Sequence, residues 1–247
     1  MLRSLKELYG YALQATDGEI GTVEEFYFDD EKWTVRYLVA NAGSWLTGRL
    51  VLISPLALGE PDWGSQRLPV KLTREQIRNS PDIDTAKPIS RQHEIDYYQY
   101  YGWPYYWAGA ETWGVSPLPL AAPPPPPPEP KTEQAQGDVH LRSSREVEGY
   151  HIQARDGEIG HVEDFVADDE TWRLRYLVVD TRNWWPGKKV LVAPEWIARI
   201  SWQEALVHVD LTREAIKAGP AFDPGQPINR EYEARLYDYY GRPVYWA

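Results

Sequence analysis

The ten residues DGEIGTVEEF, numbers 17–26, return as DGEIGHVEDF at 156–165. This run decides the fold, because it is both the centre of a duplication and a strand signal. Asp-Gly between two β-rich segments is a strong short-range hairpin signature. The second glycine, three residues on, marks a bulge or bend in the strand that follows. An anion loop would need a following lysine and fewer acids, and a calcium loop would need further oxygen ligands at fixed spacing. Asp17, Gly18 and Gly21, with Asp156, Gly157 and Gly160, are therefore read as structural turn residues.

Working outward at the same offset, residues 2–108 align with 141–247 without a gap. LRS opens each copy and YWA closes it. A unit this long is a duplicated domain rather than a solenoid repeat. Between the copies, residues 109–140 carry six consecutive prolines within PLPLAAPPPPPPEP. Such a run cannot donate backbone hydrogen bonds and favours polyproline II, so it is read as a semi-rigid linker. The expected domains are 2–108, the linker 109–140, and 141–247.

Each copy reads as short strands separated by turns, followed by helical patterns. After the hairpin come an acidic turn (DDEKW, DDETW), a β-rich run (TVRYLVA, RLRYLVV), a Trp/Gly loop (GSWLTG, RNWWPG), and a strand ending in proline. Thr73 and Thr212 are read as N-caps of short helices, and Thr73 with Gln76 fits a capping box that Ala215 breaks in the second copy. A second helix stops at Gly102 or Gly241. It places Glu94, Tyr98 and Tyr101, or Glu233, Tyr237 and Tyr240, on one face. An aromatic tail, YYGWPYYW or YYGRPVYW, follows.

This ordered set resembles the PRC-barrel domain over residues 5–72 and 145–211. The resemblance implies two small, partly open antiparallel β-barrels, each with short C-terminal helices. It also implies contact with another protein through the barrel, and it carries over no catalytic residue. The chain is similar to stand-alone tandem forms, lacking the N-terminal membrane helix of the reaction-centre H subunit and the extra domain of RimM.

Composition narrows the function. The formal net charge of −11 and the pI near 5.0 argue against nucleic acid. The absence of cysteine excludes disulfides and thiol chemistry. No apolar run is long enough to cross a membrane, and a cytoplasmic location is expected. The five histidines occupy no shared position in the two copies. The acidic turns 29–31 and 168–170 read as solvated. No ionisable set repeated in both copies converges in the sequence. The expectation is a non-enzyme with no catalytic, cofactor or metal residues.

The tryptophans are the other signal. Trp33, Trp63 and Trp107 recur as Trp172, Trp202 and Trp246 and read as core or domain-joining residues. Trp45, Trp184 and Trp185 lie in glycine-flanked loops and are the candidate protein contacts, the other reading being that the loop folds back to plug the barrel end. The expected function is a bivalent binding or scaffold protein. Its partner is a protein of unidentified kind, and the tails pack on their own or the other copy as an intrachain pseudo-dimer or through a homo-oligomer. Two alternatives stand beside it. One is a ligand or enzymatic site in a cleft between the barrels; the other is an accessory role in ribosomal or reaction-centre-type complexes.

Overall fold

The computed structural model describes the chain except residues 47, 82–88, 121–139, 182–186 and 247, and the side chains of Ser44 and Trp45. In the first copy the strands are β1 (Leu2–Ser4), β2 (Ala12–Ala15), β3 (Gly18–Asp29), β4 (Thr34–Asn41), β5 (Leu50–Ile53) and β6 (Arg67–Pro69). They are followed by helices α1 (Arg74–Arg78) and α2 (Arg91–Tyr101). The second copy has β7 (Leu141–Ser143), α3 (Ser144–Val147), β8 (His151–Ala154), β9 (Gly157–Asp168), β10 (Leu174–Asp180), β11 (Lys189–Val192), β12 (Ile197–Ser201) and β13 (Leu206–Val209). Helices α4 (Arg213–Ala218) and α5 (Arg230–Tyr240) close it. The protein is mainly β, with two sheets and short helices.

The structure divides into two compact units that do not coincide with the sequence copies. Unit 1 is Met1–Glu7, Ser144–Asp169 and Leu174–Ala247; unit 2 is Leu8–Ser143 with Glu170–Arg173. Each unit therefore holds the opening strand of the other copy. In unit 1, β1 pairs antiparallel with β9, Arg3 lying opposite Ala167. In unit 2, β7 pairs antiparallel with β3, Arg142 lying opposite Phe28. The long strands β3 and β9 make this possible. Their first halves pair with β2 and β8, which leaves the same edge open along their second halves.

The sheet of unit 1 runs β11-β10-β9-β8-β13-β12, and that of unit 2 runs β5-β4-β3-β2-β6. Most pairs are antiparallel, as expected, but β2–β6 and β8–β13 are parallel. The physical reason is connectivity. The last strand of each sheet arrives after a long excursion through β3, β4 and β5, or their counterparts, and parallel pairing requires such a crossover.

The glycines of the quoted motif act by close approach as well as by turning. Gly21 (φ 120°) and Gly160 (φ 154°) lie where a Cβ would overlap the carbonyl oxygen of Asn41 or Asp180 on the neighbouring strand. Between residues 23 and 25 the β3–β4 register shifts, which is the bulge expected there. The cores are aliphatic and aromatic, with Phe26, Tyr37, Leu38 and Val39 in unit 2 and Phe165, Tyr176, Leu177 and Val179 in unit 1 fully out of solvent.

Helix boundaries follow the local chemistry. The Thr73 hydroxyl accepts from Gln76 N and the Gln76 side chain accepts from Thr73 N, completing the capping box. Thr212 caps α4 alone, accepting from Ala215 N at 3.2 Å. Gly102 and Gly241 end α2 and α5 in the left-handed conformation. No helix among the described residues is long and apolar enough to cross a membrane.

Candidate functional site

The first convergence of ionisable groups is built twice. In unit 2, β4 turns Tyr37 toward α2, and the chain after α2 returns to bring Tyr106 alongside. Both hydroxyls donate to Glu94 Oε1, at 2.7 and 2.9 Å, and Arg91 Nη1 lies 2.8 Å from Oε2. Unit 1 repeats this from its own copy. Tyr176 and Tyr245 donate to Glu233 Oε1 at 2.8 and 2.9 Å, and Arg230 Nη1 lies 3.0 Å from Oε2. Each arginine stacks on the closing tryptophan, Arg91 at 4.2 Å from Trp107 and Arg230 at 4.1 Å from Trp246.

This corrects the expectation that no repeated ionisable set converges. The residues were visible in both copies as R-x-x-E, RY and YW, but their meeting depends on a helix crossing a strand. Chemically the cluster is closed. Glu94 and Glu233 are buried, and each carboxylate spends its lone pairs on two phenols and a guanidinium. Burial, then the glutamate charge, pushes the Tyr37 hydroxyl well above its ordinary value. Tyr176 is raised by burial first, then by Tyr237 and Glu233. These phenols remain donors, and the cluster works as a pin holding helix and tail to the sheet. Each tail packs on its own copy, with Tyr98 against Trp107 at 5.5 Å and Tyr237 against Trp246 at 5.4 Å.

Asp17 accepts from Arg74 N and Asp156 from Arg213 N, both at 2.7 Å, so the aspartate of each DGEIG tethers the following helix start. Gly18 and Gly157 take positive φ, but Asp17 and Asp156 do not, which places the two-residue loop at 16–17 and 155–156. The acidic turns are solvated only in part: Glu31 and Glu170 are exposed as expected, but Asp29 and Asp30 of the first copy are not. Asp29 is 5 % exposed and paired with Arg36 Nε at 2.5 Å, and Asp30 receives Arg142 Nε at 2.9 Å. The strand exchange creates the second pair, because Arg142 arrives on β7. His151 and His161 lie opposite each other on β8 and β9, and His151 Nδ1 sits 2.8 Å from Glu158, both side chains being exposed.

Of the shared tryptophans, Trp172 is buried, whereas Trp33, Trp63, Trp107, Trp202 and Trp246 are half-buried. Trp63 packs edge-on to Tyr11 and Trp202 leans on Tyr150, so this pair too is duplicated. Trp45 falls in a 3-10 turn, Gly43–Leu46, but its side chain and all of Trp184 and Trp185 lie outside the described residues.

An open groove of about 440 Å³ lies in unit 1, formed by the exchanged β1, by β9 and β11, and by residues 222–228. Phe222 N donates to Lys189 O at 2.8 Å, which fixes that segment beside β11. Lys189 Nζ lies 2.8 Å from Glu163 Oε1, while Glu163 Oε2 is buried with no hydrogen-bond partner among the described residues. Lys6 Nζ donates to Glu163 O at 2.6 Å. Behind them Asp164 accepts from Ser4 Oγ at 2.5 Å, Phe165 N at 2.7 Å and Lys6 N at 3.2 Å. Burial outweighs these donors and pushes the Asp164 carboxyl up to about 6. Apolar wall comes from Val166, Val178, Pro224 and Ile228.

The groove's lysine is private to unit 1, since Lys189 corresponds to Leu50, whereas the Ser4–Asp164 contact has a counterpart in unit 2, where Ser143 Oγ donates to Glu25 Oε2. No protein-family model and no curated protein matches this sequence.

Proposed function

We propose that the chain is a non-catalytic binding protein made of two PRC-barrel-like units, and that the groove of unit 1 is a surface by which it takes a protein partner in the cytoplasm. The carrying observation is the groove itself. It has the size of a ligand-binding site, one apolar wall, and polar groups of both signs, among them a buried carboxylate oxygen without a partner. A peptide segment with one basic side chain and an apolar neighbour has the matching chemistry. The repeated ionisable groups support the non-catalytic half of the reading, because they are consumed by one another in the interior.

The barrel reading draws on topology. In unit 1, β11 and β12 are opposite edges of the sheet path, yet only residues 193–196 connect them. That connection spans at most about 18 Å, whereas six flat strands would spread over about 24 Å. The path must therefore curl. In unit 2, Lys71 N donates to Ala57 O at 2.7 Å and Gly59 N to Pro69 O at 2.8 Å, bringing the chain after β5 to the strand at the far edge.

The test is affinity capture from host lysate with the intact chain, a Lys189→Glu variant, and a Trp45→Ala/Trp184→Ala variant, each checked for folding. The groove reading expects a protein retained by the intact chain and the tryptophan variant and lost by Lys189→Glu. Loss with the tryptophan variant alone would move the contact to the loops, and equal retention by all three would contradict both surfaces.

A further inference from the structure

Unit 2 holds a second and smaller cavity, of about 150 Å³, lined by Lys32, Arg36, Arg91, Tyr106, Trp107 and His140 among others. Arg36 is the group to account for. Its side chain is 0 % exposed, its Nε is taken by Asp29 at 2.5 Å, and its Nη1 donates to Thr112 O at 2.7 Å. Its Nη2 is buried with no acceptor among the described residues. An unpaired donor on a buried charge is costly, and a protein interior normally supplies a partner for it.

The neighbouring charges leave room for an anion. Arg91 is engaged with Glu94. Asp29 serves Arg36 and also accepts from Lys32 N at 2.5 Å. Lys32 Nζ reaches two carbonyls, Glu111 O at 2.6 Å and Gly109 O at 3.4 Å, rather than a carboxylate. Burial first, and then the Arg36 charge, lower the basicity of Lys32. Glu31, the acid on the rim, has a side chain 66 % exposed and lies 3.3 Å from His140 Nε2. Asp29 also lines the cavity, but its carboxylate is taken by Arg36 Nε and Lys32 N, so the donors left on the inner wall are those of Arg36 and Lys32, backed by the rings of Tyr106 and Trp107.

We propose that this cavity binds a small oxyanion, inorganic phosphate being the representative, with Arg36 Nη2 and Lys32 Nζ as its donors. The volume equals the share of about five water molecules. That suffices for a tetrahedral anion and is well below the roughly 300 Å³ where organic-ligand pockets begin. The site is private to unit 2. Lys32 corresponds to Thr171 in the second copy, and although Arg175 stacks on Tyr245 at 4.0 Å as Arg36 does on Tyr106, Arg175 is only half-buried.

Titration of the intact chain with inorganic phosphate at constant ionic strength, followed by calorimetry and tryptophan fluorescence, tests the assignment. Saturable binding is expected, with affinity about tenfold weaker in Lys32→Met, a loss equivalent to one charge-assisted hydrogen bond. Lys32→Arg restores binding, and Lys71→Met, an exposed position elsewhere in the same unit, binds like the parent. The proposal is overturned if phosphate gives no saturable response. It is also overturned if chloride at equal ionic strength gives the same response, or if Lys32→Met binds as tightly as Lys71→Met.

Discussion

In unit 2, Arg36 lies wholly out of solvent beside Thr112 and Trp113, whose ring centroid is 4.9 Å from the guanidinium carbon. Its counterpart in unit 1, Arg175, is half-buried. The glutamate, the two phenols and the second arginine behind each are nearly superimposable in their distances. The cover over Arg36 comes from residues 109–116, which follow the first copy and lie outside the duplicated sequence. Trp113 Nε1 fastens that segment by donating to Thr171 O at 2.9 Å, and Thr171 also belongs to unit 2. The lesson is that duplication kept the interior wiring and left the surroundings free to diverge, so differences between the units are where function is to be sought.

The largest test of this comparison is removal of the buried carboxylates. Glu94→Ala strands two buried phenols and an arginine whose side chain is only 23 % exposed, and should cost unit 2 about 3–5 kcal/mol, the range for breaking a buried pair. Glu233→Ala should cost unit 1 roughly half as much, because the Arg230 side chain is 56 % exposed and rehydrates more readily. Hydrogen exchange of amides assigned to each sheet reads the two losses separately. Equal losses would mean that cover does not distinguish the clusters.

Substitution of the strand glycines should show the opposite pattern. Gly21→Ala and Gly160→Ala each force a Cβ into a carbonyl on the adjacent strand, at positive φ. Both should lose about 1–3 kcal/mol or more in urea unfolding, and by similar amounts. A large difference between them would break the claim that the interiors are equivalent.

A smaller effect belongs to unit 1 alone. The Asp164 carboxyl is raised to about 6, so the stability it contributes is complete below its ordinary value and is lost as pH climbs through 6. Asp164→Asn keeps acceptors for Lys6 N and Phe165 N and should gain roughly 2 kcal/mol at pH 7. The gain should shrink toward zero near pH 4, as measured by urea midpoints across that range. A gain independent of pH would show that the carboxylate is not the cause.

Much of this architecture could be read from the residues. The duplication, the hairpin at DGEIG, the bulge after Gly21, the Thr73 capping box and the αL stops at Gly102 and Gly241 all have local causes, and local causes leave sequence signatures. The strand exchange has none. LRS is three residues long in both copies, and nothing in it states whether Ser4 Oγ meets the acid of its own copy or, as observed, Asp164 at 160 positions' distance. The parallel pairs were hidden for the same reason, since pairing direction follows from how the chain returns. The Glu94 cluster was legible as residues but not as a cluster. The acidic turns misled because Asp29 looks solvated until Arg36, seven residues on, folds back beneath it. The side chain of Trp45 and all of Trp184 and Trp185 fall outside the described residues, so their part in binding rests on the capture experiment.

The exchange of opening strands is the central structural claim, and the chain's lack of cysteine makes it directly measurable. Arg3 faces Ala167, whereas the repeat-equivalent partner within its own copy would be Phe28, the residue that Arg142 faces. Paired backbone positions of this kind lie within disulfide reach. An Arg3→Cys/Ala167→Cys variant, oxidised at low protein concentration, should form an intramolecular crosslink seen by mass spectrometry of the proteolysed monomer. An Arg3→Cys/Phe28→Cys variant should remain reduced under the same conditions. A crosslink in the second variant and none in the first would contradict the exchange and return each opening strand to its own copy.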